Sequence, residues 1–350
     1  MITPEEAVGL LREMVRIPST SFHEEAVSSH ILSFLRNHDI EAGEEKLNII
    51  ARNRLYDSRK PTLMLCAHMD TVEPASDYTF DPYNPPYSED TVYGLGSNDD
   101  GGSVVSMISA FSRFYDNEMP LNLLLVLTVE EERSGADGMR GLWPLPADWA
   151  IIGEPTGMRA ATSERGLLVL DGTAEGVSGH AARSEGVNAL YIALDDIAAL
   201  RSHVFEKVST VMGKVHLNVT QIAAGEAHNV IPDRCTFVVD IRPTECYTGE
   251  EILSELQAEC RSTLKARNLA NRSSATPPGS PLYASVEALG LPTFSSPTSS
   301  DWMRISCPGV KIGPGDSARS HQADEFIRTA EIEEAIETYT ELIRELMNHI

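Results

Sequence analysis

Apolar residues recur along the chain with two different periods, and the switches between them lay out its elements. Ala7, Leu10, Leu11, Met14 and Val15 follow helical spacing, with Thr3 as N-cap, Pro4 at the first helical position and Glu6 closing a capping box. IPS at 17–19 ends that helix, and 23–37 offers a second amphipathic stretch with Ala26, Ile31, Leu32 and Leu35 inward. Near-continuous apolar runs follow at 47–52, 62–67, 122–129 and 149–153, the pattern of strands covered on both faces. Between the second and third lies GGSVVSMISAFSRFY, a helix opening on a glycine pair. This alternation predicts an α/β unit with a largely parallel sheet flanked by helices.

From about residue 166 the texture changes. GLLVLDGTAEG and GKVHLNVTQIAAG read as strands, NALYIALDDIAALRSHV as a helix, DRCTFVVDIRP as an alternating strand and GEEILSELQAECRSTLKAR as a second helix. Strand–helix–strand–strand–helix is the order of a small ferredoxin-like α+β sandwich. PPGS at 277–280 punctuates the chain, which then returns to α/β character and closes on an amphipathic helix at 329–347. The expected organisation is 1–165 and 277–350 as one unit, with 166–276 inserted.

A chain of 350 residues exceeds what one hydrophobic core of at most ~250–300 residues usually holds, in keeping with that division. Its formal net charge of −24 repels phosphates, so nucleic acid and anionic membrane are not expected partners. No run approaches the ~20 apolar residues of a membrane span. The start of the chain reads as a helix, not a secretory leader, and Cys66, Cys235, Cys246, Cys260 and Cys307 form no CxxC pair, so a cytoplasmic protein is expected.

The chemistry begins at LMLCAHMDTV (63–72), where an apolar run stops on His68 and Asp70. Polar groups ending a buried strand are costly unless something holds them, and a metal ion would. YGLGSNDDGGS (93–103) brings Asp99 and Asp100 in a glycine-rich turn before a helix, a position that also suits capping aspartates. TVEEERSG places Glu130, Glu131 and Glu132 directly after a strand; IIGEPTG ends another strand on Glu154; GPGDSARSHQADE carries His321. Open α/β sheets bind ligands at that strand edge. Imidazoles and carboxylates without thiolate suit a catalytic zinc, and two ions would require one bridging carboxylate.

These motifs, in this order and over nearly the whole chain, resemble the dinuclear zinc aminoacylase and peptidase family that includes acetylornithine deacetylase, succinyl-diaminopimelate desuccinylase and glutamate carboxypeptidase. AHMDTV, GSNDDGG, EEE, GEPT, SGHAAR, NVIPDRCTFVVDIR and GPG…H carry the resemblance. It implies a zinc-peptidase-like catalytic domain with an inserted dimerisation or lid domain, and two Zn²⁺ per chain, with Co²⁺ or Mn²⁺ as substitutes. Asp99 would bridge the ions, His68 and Glu154 completing one set and Glu132 and His321 the other. Glu131 would be the general base and Asp70 would orient His68 by accepting its second ring proton. The peptide bond after Asp99 is expected to be cis.

Two departures leave alternatives open. Where the family often has Asp-Glu-Glu this chain has three glutamates, so a slip of one residue would make Glu130 the base and Glu131 a ligand. Asp100 and Gly101 replace the family's frequent Met-Lys, which makes Asp100 an alternative ligand. The resemblance further assigns His180 to the oxyanion of the partner subunit's site, and Arg242 with Asn229 to the substrate carboxylate. It implies a homodimer acting on a small N-acyl amino acid, N2-acetyl-L-ornithine first, with acyl derivatives of citrulline, diaminopimelate or lysine, or a dipeptide, as alternatives. A protein of this fold that binds metal without catalysis is the reading from a different class. The stretches 163–168 and 296–302 are expected to line the substrate pockets.

Overall fold

A computed structural model describes residues 1–183 and 185–350. The chain divides into a larger unit, Met1–Thr162 with Ala275–Phe294 and Ser300–Ile350, and an inserted unit, Ser163–Ser274 with Ser295–Ser299. The short return of Ser295–Ser299 to the inserted unit lies within the stretch that sequence reading gave to the larger one.

The central sheet of the larger unit runs in the order Ala42–Glu45, Asn48–Arg52, Asn122–Thr128, Thr62–His68, Trp149–Ile152 and Gly309–Lys311 before continuing through shorter strands. Its middle is parallel: Thr62–His68 pairs in parallel with Asn122–Thr128 on one side and Trp149–Ile152 on the other, and Gly309–Lys311 is parallel to Trp149–Ile152. Parallel strands end at one edge, so the loops that follow them share one rim. The Asn48–Arg52 strand is antiparallel to its neighbour Asn122–Thr128.

Alternation along Thr62–His68 feeds two cores. Leu63, Leu65 and Ala67 join the helices Pro4–Val15, Gly102–Phe114 and Thr329–Asn348, while Met64 and Cys66 pack with Leu124, Val126, Ile152 and Trp302 on the opposite face. The first helix has the expected capping box between Thr3 and Glu6. The second begins at Glu25, and it buries Val27 in place of the expected Ala26, which is exposed.

The main sheet of the inserted unit has one strand more than the pattern predicted. Its sheet runs His216–Ala224, Arg234–Arg242, Leu168–Glu175, Thr263–Ala266, with antiparallel pairing throughout. The helix Gly249–Glu259 stops well before residue 267 because the carboxylate of Asp196, on the helix Ala189–Ser202, accepts the N–H groups of Arg261 and Ser262 at 3.0 and 2.7 Å. Gln257 adds a bond from the Leu264 N–H at 2.8 Å, and the chain turns into the fourth strand of a complete ferredoxin-like sandwich. Among the described residues no helix is long and apolar enough to cross a membrane.

Gly172 on the Leu168–Glu175 strand lies against the ring of Phe237, where a Cβ would collide. Gly172→Ala is expected to destabilise the inserted unit by about 1–3 kcal/mol, the usual cost of overpacking a closed core. Urea unfolding of the purified variant measures it, and an unchanged midpoint would contradict this packing.

Candidate metal centre

Four consecutive parallel strands deliver polar side chains to the shared rim of the larger unit. His68 closes its strand, Glu131 and Glu132 follow Asn122–Thr128, and Glu154 follows Trp149–Ile152. The segment after Gly309–Lys311 carries His321, and Asp99 comes from the turn before the helix Gly102–Phe114. Nε2 of His68 lies 3.2 Å from Oδ1 of Asp99, while Nε2 of His321 lies 3.0 Å from Oε1 of Glu132 and 3.8 Å from Oδ2 of Asp99. Ligand atoms of His68, Asp99 and Glu132 lie within 4.8 Å of one another, and so do those of His68, Glu131 and Glu154. All five expected ligands and the expected base therefore meet in one place, with Asp99 between the two histidines.

The backbone decides which glutamates take part. Glu130 sits in left-handed conformation at φ 59° and donates its N–H to Glu24 at 3.0 Å. Its carboxylate turns away and accepts the N–H of Asp137 at 3.0 Å. Glu131 and Glu132 enter the cluster and Glu130 does not, so the one-residue slip is not what the structure adopts.

Asp70 acts differently from expectation. The closest acceptor to Nδ1 of His68 is the main-chain carbonyl of Asp70, at 3.0 Å, with the carboxylate at 3.5 Å. That carboxylate, fully buried, accepts the N–H groups of Glu131 and Glu132 at 3.0 and 3.1 Å and the Ser21 hydroxyl at 2.6 Å. With Nδ1–H committed to the Asp70 residue, Nε2 of His68 faces the carboxylates. Asp99–Asp100 is cis, as expected. Asp100 is buried behind the cluster and does not join the sets of converging ligand atoms.

Electrostatics mark the site as short of positive charge. Burial lifts the Glu131 carboxyl well above its ordinary range, and the charges of Glu154, Asp301 and Glu132 add to this against the pull of His68. Burial does the same to Glu154, with Asp99 and Asp100 adding and Lys311 opposing. Burial raises Asp100 to about 8, helped by its neighbour Asp99. For His68, burial opposes the imidazolium but hydrogen bonds to Asp70 and Asp99 outweigh it and lift the ring well above its usual value. A hydrogen bond to Glu132 raises His321 to about 8. Carboxylates forced together out of water hold protons unless a cation replaces them, and this donor set of imidazole and carboxylate oxygen suits a pair of divalent ions.

Sequence reading missed several acids around the cluster. Glu325 is buried beneath the Asp99 turn, Glu24 holds the Glu130 N–H, and Asp301 accepts the Thr128 hydroxyl at 2.6 Å. Asp301 lies in 296–302 but is a buried support, not an open pocket wall. Arg165 of 163–168 is likewise buried, and its guanidinium donates to the carbonyls of Lys214, Arg242 and Met212.

Three candidates, His180, Asn229 and Arg242, lie in the inserted unit. His180 and Asn229 come together: Gly179–His180 pairs with Val230–Ile231, and the Ala181 N–H donates to the Asn229 carbonyl at 3.0 Å. Both side chains belong to exposed residues. Arg242 differs from an open clamp, because Nε and Nη2 donate to the two oxygens of Asp240 at 2.8 and 3.1 Å. Asp240 and Arg242 share one face of their strand by alternation, which explains the pairing.

The model for peptidase family M20/M25/M40 matches residues 64–345. The chain belongs to that family. This family member is 29% identical over 322 residues to succinyl-diaminopimelate desuccinylase of Xanthomonas campestris pv. campestris, covering 83% of this chain and 85% of the relative. It is 30% identical over 304 residues to acetylornithine deacetylase of Proteus mirabilis, covering 80% and 78%. Its fold matches aminopeptidase PepT from Bacillus cereus with a TM-score of 0.78 at 17% identity, over 99% of both chains. It also matches the YXEP protein of Bacillus subtilis, described as a dinuclear metal binding peptidase of the M20 family, with a TM-score of 0.70 at 17% identity over 98% and 97%. As an M20 hydrolase with this cluster, the chain has the parts of a metal-dependent amide hydrolase.

The raised histidines give a signed prediction. A divalent ion must displace the His321 proton at any pH below about 8, so its affinity falls as acidity rises. Metal affinity of the apo-protein, measured against a chelating dye, is expected to drop at least about tenfold per pH unit between pH 8 and 6.5, with proton release on binding. A flat profile would contradict the His321 assignment. Glu132→Gln is expected to lose metal while Glu130→Gln keeps it.

Proposed function

We infer that this M20 hydrolase is a zinc-dependent deacylase whose substrate is N2-acetyl-L-ornithine, cleaved to ornithine and acetate. The single observation that carries the chemistry is the convergence of His68, Asp99, Glu132, Glu154 and His321 around Glu131. Asp99, His68 and Glu154 would hold one ion, and Asp99, Glu132 and His321 the other. Zinc bound there would supply a Lewis acid for the amide carbonyl and lower the pKa of water.

The side chains supply the proton traffic. Glu131, kept out of both ligand sets in this reading, would take a proton from the attacking water as the C–O bond forms and deliver it to the departing amine as the C–N bond then breaks. Burial favours its protonated form between those two events. Asp70 would keep Glu131 and Glu132 in place through their N–H groups. His180, on the inserted unit of a second copy, would donate to the oxyanion, with Asn229 beside it. Arg242 would meet the substrate carboxylate by sharing its fork with Asp240.

Support for the ornithine substrate comes from relatives named acetylornithine deacetylase, which match over most of the chain. The second copy is supported by the inserted unit's edge strand His216–Ala224, which exposes Ile222, and by Tyr191 and Leu194 on the neighbouring helix. A reducing compartment, the cytoplasm, fits five free cysteines.

Two measurements test this reading. Glu131→Gln is expected to retain zinc and lose kcat by several orders of magnitude, and His180→Ala to lose about 10²–10³ in kcat with zinc retained. A kcat/KM panel of acetyl, succinyl and formyl derivatives of ornithine, citrulline, lysine and diaminopimelate is expected to peak at acetylornithine. A peak at a succinyl compound would move the assignment to desuccinylase, and a zinc-loaded chain inert to the panel would favour a binding protein.

A further inference from the structure

Glu325 is buried at 2% exposure, four residues beyond His321. Its carboxylate accepts three main-chain N–H groups of the turn that presents Asp99: Gly96 on Oε2 at 3.0 Å, and Asn98 and Asp99 on Oε1 at 2.9 Å each. Its own carbonyl accepts the Gly94 N–H at 2.8 Å. The turn departs from helical geometry at Asp99 (φ −124°, ψ 95°), so these donors lie outside a regular helical ladder. Left unpaired in the interior, each would cost on the order of 1–3 kcal/mol.

Other bonds tie the same two segments together. Asn98 accepts the Asp316 N–H at 2.9 Å and donates to the Asp316 carbonyl at 3.1 Å. Asp324 anchors the His321 segment a second time, to an earlier loop, by accepting the N–H and hydroxyl of Thr79 at 2.8 Å each. His321 and Asp324 both sit at φ +58°, left-handed backbone that His and Asp adopt more readily than most side chains. The segment holding one histidine is thereby bolted to the turn holding the carboxylate between the two histidines.

We propose that Glu325 is a positioning residue for the hydrolysis, fixing Asp99 and His321 at the spacing that lets both grip one shared ion. This rests on the reading of Asp99 and His321 as ligands. A carboxyl group of this reach fits the task, because all three partners donate and both of its oxygens accept. A carboxamide must turn its NH₂ toward the Gly96 N–H or toward the Asn98 and Asp99 pair, and breaks the clamp either way. A shorter Asp would pull back from the turn.

The test uses the full-length apo-protein titrated with Co²⁺ against a chelator, with visible spectra, kcat, KM and thermal midpoint recorded for wild type, Glu325→Gln and Glu325→Asp. For Glu325→Gln the expected result is about 10–100-fold weaker binding of at least one cobalt, an altered d–d spectrum, and a loss in kcat that exceeds any change in KM. Glu325→Asp, which keeps the carboxyl group at shorter reach, is expected to fall between. A Glu325→Gln protein with wild-type cobalt affinities and spectrum overturns the proposal, even with a lowered thermal midpoint, since that pattern marks a purely structural role. If Glu325→Gln does not fold, Asn98→Ala, which cuts the companion clamp to Asp316, is read by the same criteria. A wild type that takes up no cobalt overturns the ligand reading itself, a result distinct from failure of the clamp.

Discussion

Carboxylates gathered at a rim that water reaches only in part set the terms for this structure. Asp99, Glu132, Glu154 and Glu131 meet at one rim, with Asp100 and Asp301 buried behind them. Two histidines alone do not balance that charge, as the upward shifts of Glu131 and Glu154 show. Such a cluster survives only by holding protons or by holding cations, and the fold places imidazole nitrogens where a cation would use them. The parallel sheet makes the gathering possible, because its strands end together.

Around that centre the chain spends a second set of acids on its own backbone. Asp70 binds the N–H groups of Glu131 and Glu132, Glu24 binds that of Glu130, and Glu325 binds those of Gly96, Asn98 and Asp99. The loops that present the ligands are irregular and would otherwise leave buried donors unpaired. Buried acceptors answer that need while aiming the outer carboxylates. Two roles for one residue type thus separate by what each carboxylate touches: side chains and ions in front, main-chain N–H groups behind.

That division explains how much the sequence showed. His68, Asp99, Glu131, Glu132, Glu154 and His321 were legible because each follows an apolar strand or sits in a glycine-rich turn. Glu325 closes the motif that carries His321, and Glu24 precedes the second helix, but accepting a distant N–H leaves no mark on local spacing. The strand Thr263–Ala266 was hidden for a similar reason: Asp196 ends the preceding helix through a tertiary contact, with no Gly or Pro at the break. Arg242 was a different case. Its partner Asp240 stands two residues away on the same strand face, a spacing that alternation makes readable in advance.

The most direct measurement is an anomalous-scattering map, recorded at the zinc edge, of crystals of the purified chain. Two peaks about 3.5–4 Å apart, with the Asp99 carboxylate between them, are the expected result. Full zinc supply with no peak at His68 or His321, or a lone peak that Asp99 does not touch, would contradict the paired-ion centre.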